Sequence, residues 1–142
     1  MRDFQLVTGS EARLPERKTA WSAGYDFYLP KTVTIKPQET VFIPSGVKAY
    51  MGTDEVLTLY IRSSLAIKRK LTLVNGVGVV DSDYYNNTEN EGNILIVLRN
   101  EGTHDVTLEK GERVMQGIFT KYLTCGEDVR RIRTGGIGST NE

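Results

Sequence analysis

The sequence predicts an all-β sandwich or jelly roll, and three observations carry that reading. Short apolar runs rich in β-branched and aromatic residues recur along the chain, separated by Pro, Gly, Asn and Asp turn signals. Only one stretch, around Ala66, has the composition of a helix. At 142 residues the chain suits one domain, 1–142, with a real core.

The first stretch, to about Ser22, is polar and irregular, and Pro15 limits regular structure there. Ala23-Gly24-Tyr25-Asp26 leads into Phe27-Tyr28-Leu29, which stops at Pro30. From Thr32 to Ile35, Val33 and Ile35 alternate with threonines, a half-buried strand ending at Pro37. Val41-Phe42-Ile43 is another short run, closed by Pro44-Ser45-Gly46. Val56 to Ile61 reads as a strand with Leu57, Leu59 and Ile61 on one face. Ser63 and Ser64 stand where they would cap a short helix through Ala66 to Arg69. Leu71 to Val74 and Val77 to Val80 are strands flanking Asn75-Gly76, a dipeptide favoured in tight hairpins. Tyr85 to Glu91 is too polar to be anything but a loop. Ile94 to Leu98 is continuously apolar, a strand buried on both faces. Val106-Thr107-Leu108 and Arg113 to Phe119 flank a turn at Lys110-Gly111. Residues 126–142 are rich in Gly and Ser and bury almost nothing by themselves, so they form a mobile arm that must dock to act.

Charge and cysteine content exclude whole classes of function. Lys plus Arg equals Asp plus Glu, 18 each, so no global field draws the chain to nucleic acid or an anionic membrane. Cys125 is alone, which suits a reducing compartment. No basic-then-apolar leader and no membrane-length apolar run is visible, so a cytoplasmic protein is expected and the sequon Asn86-Asn87-Thr88 stays idle. With one His and one Cys there is no zinc site, and a Ser-His-Asp triad would need His104, in a polar turn segment.

Two stretches carry chemistry. Asn75 to Asn86 sets Asp81 and Asp83 behind a Gly-punctuated apolar run, with Tyr84 and Tyr85 next. In extended chain the two carboxylates would share a face and Ser82 the other, an arrangement that signals either chemistry or an acidic turn. Arg62-Ser63-Ser64 gathers a guanidinium, two hydroxyls and the N–H groups of a helix start, as a polyphosphate requires, and as an ordinary N-cap also would. The Gly-rich tail can wrap N–H groups round an anion, with Arg133 adding charge. Together they make a nucleotide site with Asp81 as general base for water.

These residues resemble the trimeric deoxyuridine triphosphatase (dUTPase) family. Ala23-Gly24-Tyr25-Asp26 is similar to its first motif, Arg62 to Ala66 to the second and Asn75 to Tyr84 to the third. Gly111 to Ile118 and Arg133 to Thr140 are similar to the fourth and fifth. Ordered motifs at compatible spacing are specific where each alone is weak. The resemblance implies a distorted jelly-roll barrel, assembly as a homotrimer with shared active sites, and hydrolysis of dUTP to dUMP and pyrophosphate. By the same resemblance, Asp81 activates the water that attacks the α-phosphorus. Asn75, Gly78, Val79, Val80 and Leu95 line the uracil slot, largely through backbone. Tyr84 packs under the deoxyribose and excludes a 2′-hydroxyl. Arg62, Ser63, Ser64 and Gln116 hold phosphates. Arg133, Ile137, Gly138 and Ser139 close over the substrate from a neighbouring subunit. Mg²⁺ rides on the triphosphate and water with no direct protein ligand, and Asp26 supports the site indirectly.

Two departures stand out. Ile137 replaces the family's Phe, so it covers the base without stacking. The polar loop Tyr85 to Glu91 is inserted before Gly92, either as an inert decoration or as a surface for a regulatory partner. The related dCTP deaminase needs a Glu where this chain has Val97, so deamination is the weaker alternative. A regulatory protein using the nucleotide site as a switch is the other.

Overall fold

In the computed structural model, which describes residues 1–126, 132–138 and 140, strands account for nearly all regular structure. In chain order they are β1 (Asp3–Leu6), β2 (Tyr25–Tyr28), β3 (Val33–Ile35), β4 (Thr40–Pro44), β5 (Val47–Tyr50) and β6 (Glu55–Ile61). The helix α1 (Ser63–Arg69) precedes β7 (Leu71–Leu73), β8 (Gly78–Asp81), a 3₁₀ turn at Ser82–Tyr84, β9 (Leu95–Asn100), β10 (Val106–Leu108) and β11 (Arg113–Lys121). The antiparallel sheets run β2-β11-β6-β8 and β4-β9-β7, with β1-β5 and β3-β10 as two-stranded ribbons. None of them closes into a barrel.

Alternation decides which side chains meet between the sheets. On β6, Leu57 and Leu59 are buried while Thr58 and Tyr60 turn outward, the one-face pattern the sequence predicts. They pack with Phe27 of β2, Met115 of β11, and Ile96 and Leu98 of β9 in one continuous core. At its edge Phe4 meets Phe27 edge-on at 5.6 Å and Phe119 at 5.3 Å between ring centroids. Among the described residues no helix is long and apolar enough to cross a membrane.

Several expectations need correction. The stretch before Ser22 is not wholly irregular: Phe4 inserts into the core and draws β1 into register with β5, itself unread in the sequence. Asn75-Gly76 does not close a hairpin. The strands on either side part company, β7 pairing with β9 and β8 with β6, so the turn carries the chain between sheets. Ser63 and Ser64 make no capping bond; the first turn of α1 closes on the Arg62 carbonyl, and both serines stay exposed. The run Ile94 to Leu98 is not buried on both faces. Ile96 and Leu98 enter the core, while Leu95 and Val97 remain half-buried. Finally Ser82–Tyr84 is 3₁₀ and not extended.

Candidate functional site

The outward face of β9 is apolar because it forms one wall of a cleft of ≈ 380 Å³. Leu95 and Val97 face the opposite wall, Gly78-Val79-Val80-Asp81 of β8, with Asn75 at one end and Leu59 and Met115 at the floor. Gly78 is there because β8 lies tight on β6: a Cβ would stand 3.0 Å from the Leu59 side chain. Tyr84 lines the cleft with its ring fixed, its hydroxyl donating to the Asn93 carbonyl and accepting from Asn90 Nδ2, each at 2.8 Å. Arg133, Ile137, Gly138 and Thr140 of the arm complete the enclosure.

Asp81 and Asp83 still converge, although the backbone between them is not extended. Arg133 Nη1 reaches Asp81 Oδ2 at 3.1 Å and Asp83 Oδ1 at 3.2 Å. The arginine side chain is 8% exposed and the carboxylates are 50% and 58% exposed, so the cation is the sheltered partner. Its other nitrogens donate to the carbonyls of Gly135 and Gly136, and its guanidinium lies 5.2 Å from the centre of the Tyr84 ring. The arm thus docks, as its lack of apolar residues requires. In the single chain it docks on its own Asp81, where the family resemblance implies an arm reaching a neighbour.

The phosphate-binding candidates are elsewhere. Arg62 and Ser64 line a second, open depression with Arg13, Lys18, Tyr28 and Arg113. Ser63 stands exposed at the start of α1. Gln116, on β11 opposite Asp26, lies against Gly24, where a Cβ would run into its Oε1. Asp26 is buried and pairs with Arg113 at 3.2 Å and Arg62 at 3.8 Å, so it fixes the guanidiniums of this depression. One chain therefore gathers Asn75, Gly78, Val79, Val80, Asp81, Tyr84, Leu95, Arg133, Ile137 and Gly138, but not Arg62, Ser63, Ser64 or Gln116. Ser139 lies outside the described residues.

The sequence reading missed Arg13 and Lys18, which line the depression by packing on Tyr28 of β2, Arg13 over its ring and Lys18 on its hydroxyl. It also missed Thr88 and Glu89, which touch the arm across more than forty residues of chain. No local pattern announces either contact. Among the described residues no three His, Cys, Asp or Glu side chains come together as a metal cage.

Residues 10–141 match the model of the dUTPase family. The chain is 46% identical over 146 residues to the deoxyuridine 5′-triphosphate nucleotidohydrolase of Lactococcus lactis, spanning 99% of this chain and 97% of that protein. It is 36% identical over 135 residues to the Rickettsia akari protein of the same name, spanning 89% and 87%. The crystal structure of dUTPase from Streptococcus mutans superposes with a TM-score of 0.82 at 46% identity, covering 88% of this chain and 99% of that one. A mutant of the dUTPase from phage phi11 of S. aureus shares the fold at a TM-score of 0.77 and 23% identity, covering 92% and 97%; that structure reveals the coordination of a structural Mg(II) ion.

Proposed function

Because the chain belongs to the dUTPase family, we propose that it hydrolyses dUTP to dUMP and pyrophosphate, limiting uracil in DNA and supplying dUMP for dTMP synthesis. The observation that carries the reading is the cleft itself: a narrow slot walled by the β8 backbone, with Tyr84 beside it and the Asp81 carboxylate at its mouth. Backbone N–H and C=O groups present a fixed donor and acceptor pattern, which rejects cytosine by mismatch. A wall this close rejects thymine by the bulk of its methyl group. The Tyr84 ring, held at its hydroxyl by two partners, leaves the sugar no room for a 2′-hydroxyl.

Asp81 takes the proton from a water aligned on the α-phosphorus, and the bond to pyrophosphate breaks in line. Arg133 pairs with Asp81 in the docked arm and adds positive charge where the triphosphate lies. Mg²⁺ neutralises the triphosphate oxygens when bound. The donors here fit an ion carried by the substrate and water, since Asp81 and Asp83 are shared with an arginine and, among the described residues, no third carboxylate joins them.

Arg62, Ser63, Ser64 and Gln116 complete the site from a second copy in a homotrimer. The support is that they stand outside the Asp81 cleft of their own chain. The whole chain, 1–142, acts as one domain in the cytoplasm, with 126–142 as its arm. Val97, where a deaminase needs a Glu, is an apolar wall of the cleft. Purified protein given dUTP, dCTP and UTP with Mg²⁺ should release pyrophosphate rapidly from dUTP alone. Ammonia from dCTP, or silence with all three, would overturn the assignment.

A further inference from the structure

We propose that the inserted loop Tyr85 to Glu91 is the seat of the arm, with Glu89 the residue that positions the Gly-rich segment over the cleft. Its kinetic consequence rests on the dUTP reading above; the docking does not. Two backbone groups of the arm land on consecutive loop residues. The Gly136 N–H donates to Glu89 Oε2 at 2.7 Å, and Thr88 Oγ1 donates to the Thr134 carbonyl at 2.5 Å. A carboxylate acceptor makes the first a charge-assisted bond, about twice as strong as a neutral one.

The two glycines fit this seat for a reason of space. Neither Gly135 nor Gly136 has a positive φ, so backbone conformation does not demand glycine at either. A Cβ on Gly135 would run into Oε1 of Glu89, and one on Gly136 would stand 3.1 Å from Oε2. The carboxylate is in the position a side chain would need.

The loop is also built to aim that carboxylate. Asn87 Oδ1 accepts from the N–H groups of Glu89 and Asn90, while its Nδ2 donates to the Tyr84 carbonyl and to Asn90 Oδ1. Asn90 Nδ2 in turn donates to the Tyr84 hydroxyl, tying the loop to the cleft. Lys48, 9% exposed, clamps both ends by donating to Asn86 Oδ1 at 2.6 Å and Glu91 Oε2 at 2.8 Å. An inert decoration would need no buried lysine. With the arm seated, Arg133 rests on Asp81 and Ile137 lines the cleft, so Glu89 acts on the reaction through the arm.

The test compares Glu89→Ala, Glu89→Gln, Gly135→Ala and the Glu89→Ala/Gly135→Ala double variant in the full chain. Trypsin cleavage after Arg133 is followed without nucleotide, with a thermal melt beside it. Glu89 is exposed, so Tm should hold while E89A speeds that cleavage about tenfold, the effect of losing one charged hydrogen bond. E89Q keeps an acceptor oxygen and should fall between. G135A should loosen the arm alone yet add nothing in the E89A background, because both break one contact. For dUTP, E89A should raise KM several-fold with kcat largely kept. Unchanged cleavage in E89A, independent additive effects, a general loss of Tm or unmoved dUTP kinetics would each overturn the proposal. If the wild-type protein fails to turn over dUTP, that strikes at the dUTP reading, and the protease result alone decides the docking.

Discussion

The proposed general base is Asp81. Asp81→Asn keeps the shape and the hydrogen bond to Arg133 but removes the base. Turnover should drop by about 10²-fold or more while nucleotide binding, measured by calorimetry, survives. Near-normal turnover would assign the base elsewhere. The proposed sugar selector is Tyr84: with Tyr84→Ala the ratio of UTP to dUTP turnover should rise clearly above wild type. A constant ratio would move the discrimination to another group. At this scale Asp81 and Tyr84 were legible, since a carboxylate followed by an aromatic behind a Gly-punctuated apolar run is a local pattern. Arg13 and Lys18 were not, because they meet Arg62 across more than forty residues of chain, packed on Tyr28.

At the scale of the elements, strands with clean alternation such as β6 could be read directly, and mixed ones could not. β1 was hidden because only Phe4 of its four residues is buried, the rest being carried by pairing to β5. The apolar run in β9 suggested two-sided burial; its second face is apolar because it lines the cleft, a functional reason that periodicity does not separate from core. The strands β6 and β8 fit together through Gly78, and Gly78→Ala should cost about 1–3 kcal/mol of stability by overpacking Leu59, read by urea titration. The N-terminal segment carries a pH-dependent fastening as well. Arg2 and the Gly52 N–H both hold the buried Glu55 carboxylate, lowering its pKa to about 2. A folded-state pKa below the unfolded one means the stabilisation is present above about pH 4.5 and is lost as pH falls toward 2. Arg2→Ala should therefore flatten the acid limb of the stability curve and leave its slope at neutral pH unchanged.

The whole molecule divides its candidate site between two depressions, the Asp81 cleft and the Arg62 depression. Sequence alone could order the motifs but could not say which share a surface, since that depends on β7 and β8 leaving for different sheets. The division makes a prediction about assembly. Asp81→Asn and Arg62→Ala chains should each be nearly inactive, yet refolding them together should restore part of the activity, because some sites then join an intact Asp81 to another copy's Arg62. A dead mixture would mean that each chain works alone. Water attack on the α-phosphorus of dUTP is tested most directly by a turnover in heavy-oxygen water with mass analysis of both products. The label should appear in dUMP and not in pyrophosphate. Label in pyrophosphate, or phosphate released singly, would contradict water activation by Asp81 at the α-phosphorus.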